Sequence, residues 1–127
     1  MELLSEKIIV NDYDEAIELF YKNGWTDGMP IVPPTEEKVR TFLDYVGLEP
    51  NVEIAKIPER NRTIRAENIA VNAIMAGCKK EYMPVLIAAA KSVADPKFEF
   101  NHLASMGSPT PILLISGPIV QQLDLNY

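Results

Sequence analysis

The chain has 127 residues, 47% hydrophobic and 24% charged, enough for one domain with its own core and too apolar for a disordered segment. Lys and Arg number 12 against 18 Asp and Glu; the formal charge of −6 argues against a nucleic-acid groove or a polybasic membrane anchor, since both need a basic face. A single cysteine excludes an intramolecular disulfide and a Cys-rich zinc site.

Proline or charge interrupts every apolar stretch before the ~20 residues of a membrane span. The start, Met1 to Lys7, lacks a basic region followed by an apolar run, so the chain reads as cytoplasmic. Residues 7–10 read as a short edge strand. Asn11 or Asp12 then offers an N-cap. Tyr13, Ala16, Ile17, Phe20 and Tyr21 recur at helical spacing, and Gly24 ends that helix. Residues 24–34 hold three prolines and a tight turn at Asp27-Gly28, which predicts a stiff extended loop. Thr35 caps a second helix with Val39, Phe42, Leu43 and Val46 on its inner face and Gly47 at its end.

Val52, Ile54 and Ile57 alternate with charged residues, which predicts a half-buried strand, and residues 58–62 read as a polar connector. A third helix starts near Ala66 or Glu67. It is apolar nearly all round, with Arg65, Asn68 and Asn72 as a polar stripe, the pattern of a central buried helix. Gly77 breaks it. Pro84 suits the first turn of a fourth helix running from Val85 to about Ala94, whose three successive alanines predict a close neighbour. Residues 101–111 form a Ser-, Gly-, Pro- and Thr-rich loop containing His102. Residues 112–115 read as a central strand, followed by a turn and a short helix around 119–123.

Candidate chemistry is sparse. Cys78 is the only thiol, between two predicted helices. A helix start and Lys79 and Lys80 beside it would favour the reactive thiolate; alternatively Cys78 is a small packed residue. Glu81 and Tyr82 place a carboxylate and a phenol nearby as acid–base candidates. Asn68 and Asn72, one turn apart on an apolar helix, read as amides satisfied by the loop backbone or facing a ligand. Trp25 and Asp27 give the loop an apolar surface and a carboxylate, suited either to a rigid cover over the core or to the wall of a pocket. His102 has no Cys, Asp or Glu at ligand spacing, so no metal site is predicted. Phosphate-loop, nucleophile-elbow and dinucleotide motifs are missing from the sequence.

The stretch Gly24-Trp25-Thr26-Asp27-Gly28-Met29-Pro30-Ile31-Val32-Pro33-Pro34-Thr35 resembles the amino-terminal signature of an uncharacterised bacterial family, Gly-Trp-(Ser/Thr)-Asp-Gly-Leu-Pro-Val-(Val/Ile)-Pro-Pro-Thr. Two further blocks resemble it in the same order: Ala70 to Cys78 with Glu81-Tyr82-Met83-Pro84-Val85, and Leu113 to Ile119. Members of that family accompany (seleno)proteins with a Sec/Cys-Gly-Ser-Cys motif, which look like the redox-active subunit of glycine-reductase-type enzymes. The resemblance therefore implies a subunit of a thiol- or selenol-dependent oxidoreductase. The family's histidine before the third block has no counterpart in residues 104–111, so its role does not carry over. The family pattern also runs on past the third block, so this chain resembles the amino-terminal half.

The expectation is a single α/β domain over residues 1–127, a short mixed sheet packed against about four helices, incomplete without a further chain. Cys78, Glu81 and Tyr82 are the catalytic candidates, and Trp25, Asp27 and Asn72 the substrate-binding ones. The expected partner is a second copy or a subunit with the Cys/Sec-Gly-Ser-Cys motif, with no nucleic acid and no membrane. Two other readings compete: a non-catalytic interaction subunit that associates through its apolar helices, and a hydrolase or lyase using Glu81 or Asp27 as base.

Overall fold

In the computed structural model, which describes residues 2–98 and 110–125, the first helix, α1, spans Tyr13–Lys22. The Asp12 carboxylate caps it by accepting the Glu15 N–H at 2.9 Å. Asp14 and Glu15 in its first turn and Lys22 in its last suit the helix dipole. Its apolar stripe buries Ala16 and Phe20.

Helix α2 spans Glu36–Val46 and buries Val39, Phe42 and Leu43. Thr35 occupies the N-cap position, but its side chain makes no capping hydrogen bond. Gly47 closes the helix at φ +64°, where a Cβ would be strained. The Gly47 and Leu48 N–H groups return to the Asp44 and Leu43 carbonyls at 3.1 and 3.2 Å.

Strand β1, Glu53–Ile57, pairs antiparallel with β2, Arg62–Arg65. Ala55 faces Ile64, Lys56 faces Thr63, and an irregularity falls between Glu53 and Ala55. Residues 58–62, expected as a connector, instead make a 3-10 turn over Pro58–Arg60, a left-handed Asn61 (φ +48°) and the start of β2. Asparagine tolerates that conformation, which reverses the chain into a hairpin.

Helix α3, Ala66–Met75, leaves β2 directly. Its first-turn donors, which have no partner within the helix, find nearby carbonyls: Ala66 N–H donates to Val52 at 2.9 Å and Glu67 N–H to Pro50 at 3.2 Å. The core lies between α2 and α3. Val39, Phe42 and Leu43 meet Ala66, Ala70, Ala73 and Ile74, with Met83 closing one end. Small residues on α3 let its backbone approach its neighbours.

A 3-10 turn, Lys80–Tyr82, leads into α4, Met83–Val93. Pro84 sits in its first turn, as predicted. Met83 is its one fully buried residue; of the three alanines Ala88 is exposed, while Ala89 and Ala90 are half-buried. A further 3-10 turn follows at Pro96–Phe98, and a last short helix, α5, spans Pro118–Gln122.

Two predicted strands do not form. Residues 7–10 and 112–115 have no strand assignment, and Ile9 and Leu114 are 93% and 94% exposed. An apolar run is present in both, but a strand exists only where a neighbour takes its backbone hydrogen bonds. The sheet of the described residues is therefore the β1–β2 hairpin alone. His102 and most of the predicted loop at 101–111 lie outside the described residues.

The amino-terminal segment is tied down without secondary structure. Leu3 packs against the core cluster. Leu4 and Ser5 donate their N–H groups to the two carboxylate oxygens of Glu67, at 2.7 and 2.8 Å. Lys7 pairs with Glu36 at 2.7 Å, and Arg40 one turn along α2 meets the same carboxylate at 2.6 Å. Hydrogen bonds from Lys7 and Arg40 hold the Glu36 carboxyl down to about 2. No helix of the described residues is long and apolar enough to cross a membrane.

Candidate functional site

Loop 24–34 is built by its own polar side chains. The Thr26 hydroxyl donates to the Met29 carbonyl at 2.7 Å and accepts the Gly28 N–H at 3.1 Å. Asp27 Oδ1 accepts the Met29 N–H at 3.4 Å. Gly28 takes φ +122°, and a Cβ there would meet the Tyr21 hydroxyl at 3.3 Å. These short-range bonds set the turn predicted at Asp27-Gly28.

The loop bridges α1 and α3. On the α1 side, the Gly24 and Trp25 N–H groups donate to the Tyr21 and Phe20 carbonyls, and the Trp25 ring lies 5.9 Å from that of Phe20. The Tyr13 hydroxyl reaches the Ile31 carbonyl at 3.4 Å, and Ile31 itself is buried. On the α3 side, the Val32 N–H donates to the Met75 carbonyl at 3.3 Å. The Trp25 ring is thus held tilted against Phe20 while about half of the residue stays exposed.

Two clefts flank the carboxyl-terminal half of α3. The first, about 530 Å³, runs between the loop and the helix, with Trp25, Asp27, Met29, Asn72 and Met75 among its walls. The second, about 420 Å³, is more apolar and is walled by Ile64, Ile69, Ala73, Leu86 and Cys78. Asn72 and Ala76 line both, so the two clefts share an edge.

The predicted site residues divide accordingly. Trp25, Asp27 and Asn72 meet in the first cleft, and Asn72 and Cys78 in the second. Glu81 and Tyr82 are half-buried in the turn before α4 and line neither cleft. Cys78 follows Gly77, whose φ of +75° ends α3, and its own N–H donates to the Ala73 carbonyl at 2.9 Å. The thiol is half-buried and packs against the core. The helix start lies at Met83, where the sequence placed it, and the 3-10 turn Lys80–Tyr82 fills the junction between Cys78 and α4. The Lys80 ammonium lies over the Tyr45 ring, 5.7 Å from its centre.

The two asparagines are not buried amides. Both are exposed. Asn68 Oδ1 accepts the Arg65 N–H at 2.9 Å, closing the start of α3, and Asn72 Nδ2 donates to the Asn68 carbonyl at 2.8 Å. The polar stripe is the solvent-facing edge of an otherwise covered helix.

Glu67 is the polar residue that sequence reasoning missed. It is 1% exposed, the one buried charged side chain of the described residues. Burial pushes its carboxyl up, but hydrogen bonds from the Leu4 N–H, the Ser5 hydroxyl and the Ser5 N–H together outweigh this and leave it below the ordinary value. An acidic residue in the first turn reads as a solvated partner of the helix dipole. Only the docked amino-terminal segment reveals it as an internal acceptor. Among the described residues no group of three or more His, Cys, Asp or Glu is placed to hold a metal ion.

No protein-family model, curated protein or solved structure matches the chain.

Proposed function

We propose that the chain is a subunit of a thiol- or selenol-dependent oxidoreductase acting on a small molecule, with Cys78 beside the site. The observation that carries this reading is the shared edge at Asn72 and Ala76, which sets a thiol-lined cleft next to a cleft holding Trp25 and Asp27. The resemblance of the motifs around Trp25 and Cys78 to the family described above supports it. On this reading a second subunit with a Cys/Sec-Gly-Ser-Cys motif brings the reducing pair to the cleft. Glu81 and Tyr82, on the turn that follows Cys78, are the acid–base candidates.

The test is covalent labelling. With one cysteine in the chain, a small thiol reagent should add a single label to the folded protein. The expected result is complete labelling in the native state, read by intact mass. Labelling that appears only in denaturant removes Cys78 from the site.

A second reading, a non-catalytic interaction subunit, is favoured by the uncovered apolar surface. Helix α4 is largely apolar with Met83 its one fully buried residue and Val85, Leu86 and Ile87 half-buried, and Ile112, Leu113 and Leu114 are exposed in sequence. A helix of that composition belongs in an interior. Sedimentation of the chain is expected to show a concentration-dependent species larger than the monomer. A single monomeric species across the micromolar range would count against this reading.

A further inference from the structure

We infer that the cleft between loop 24–34 and α3 binds a small organic ammonium ion. The inference rests on the reading of Trp25, Asp27 and Asn72 as a substrate wall and names the class of molecule that wall accepts.

Charge decides first. Asp27 is the one charged residue among the described walls of this cleft. A carboxylate or phosphate ligand would meet that carboxylate with no cation to offset it. Asp27 is exposed, and a neutral ligand would gain nothing from its charge. A cation satisfies it. The chain's overall charge of −6 acts in the same direction by raising the local concentration of cations.

The remaining walls choose between a metal ion and an organic cation. A hard metal ion needs several oxygen ligands, and Asp27 has no second carboxylate beside it in the cleft. The other large groups are the Trp25 ring and the Met29 and Met75 side chains. An indole face attracts a cation through its quadrupole, and best among the aromatic side chains. Thioethers are soft and polarizable and pack well against alkyl groups. Such walls suit an ammonium carrying carbon substituents and give little to a bare ion.

Part of the loop's hydrogen bonding is internal. The Gly24, Trp25 and Met29 N–H groups and the Thr26 hydroxyl are already donated within the protein, and Pro30 has no N–H. The Asn72 amide gives one hydrogen to the Asn68 carbonyl and keeps its second N–H hydrogen and its oxygen for a ligand. Asp27 uses Oδ1 on the Met29 N–H, which leaves Oδ2. The loop is held by its own bonds before any ligand arrives, so binding costs little ordering.

The chain contains a single tryptophan, which makes its fluorescence a reporter of this cleft. Tetramethylammonium chloride titrated into the full chain should change the Trp25 emission saturably, with a Kd of roughly millimolar order for so small a ligand. Sodium chloride at equal ionic strength should not. The neutral tert-butanol, of similar shape, should require several-fold higher concentration. Asp27→Asn, with its helical circular dichroism intact, should weaken tetramethylammonium by about tenfold, the effect of one lost charge contact. No response beyond sodium chloride, or equal responses to tetramethylammonium and tert-butanol, would overturn the assignment; both comparisons use the unaltered chain. Labelling of Cys78 reports separately. Native labelling without a tetramethylammonium response removes the ammonium assignment and leaves the subunit reading standing, and a saturable response without native labelling does the reverse.

Discussion

Replacing Leu43 with alanine is expected to destabilise the domain by about 3 kcal/mol, within the range for a buried leucine whose void cannot collapse. Leu43 is fully buried on α2, in one cluster with Phe42, Ala70, Ile74 and Met83. Much of the facing surface of α3 is alanine, and alanine has no rotamer with which to fill the space. The midpoint of thermal unfolding should fall by roughly 10 °C. Ile9→Ala provides the contrast, because Ile9 is a large apolar residue in solvent and its loss should change stability by less than about 0.5 kcal/mol. Chemical denaturation of the two variants side by side checks the assignment. Equal effects would mean that the core does not lie between α2 and α3.

Glu67→Gln is expected to cost about 2 kcal/mol near neutral pH, because two N–H groups lose a charged acceptor. The carboxyl of Glu67 sits below its ordinary value in the folded state. Its contribution is therefore full above the unfolded-state value and disappears as the pH falls through the lowered folded one. Glu36, held down by Lys7 and Arg40, acts in the same direction on the same amino-terminal segment. Stability curves of the native chain and of Glu67→Gln should thus lie apart at pH 7 and converge in acid. Amide exchange at Leu4 and Ser5 should speed up in the variant. A constant gap between the curves down to pH 2 would show that an ionised Glu67 is not what holds the segment.

Legibility followed the range of the interaction. Helices α1 and α2 were readable because their signals are local: Asp12 before Tyr13, the stripe through Ala16 and Phe20, and Gly24 and Gly47 at φ +66° and +64°. The turn at Asp27-Gly28 was readable for the same reason, since Thr26 and Asp27 bond within three residues of themselves. Strand β2 was not, because Arg62-Thr63-Ile64-Arg65 has almost no apolar pattern and is a strand only through its pairing with β1. Residues 112–115 show the converse, a strong strand pattern without a partner among the described residues. In the candidate site, residue types pointed to Trp25, Asp27, Asn72 and Cys78. Their division into two clefts with a common edge did not follow from spacing along the chain, since 45 residues or more separate Trp25 and Asp27 from Asn72 and Cys78.

Composition and periodicity therefore determined the helices, the stiff loop and the identity of the reactive candidates, because helical turns, caps and Asx-type turns close within about four residues. The tertiary structure alone decided where the loop lies, through the bond from Val32 to Met75, and which carboxylate is internal, through the docking of Leu4 and Ser5 on Glu67. Burial is a property of what covers a residue. The cover comes from chain 62 and 63 positions away in the case of Glu67, and no local pattern encodes it.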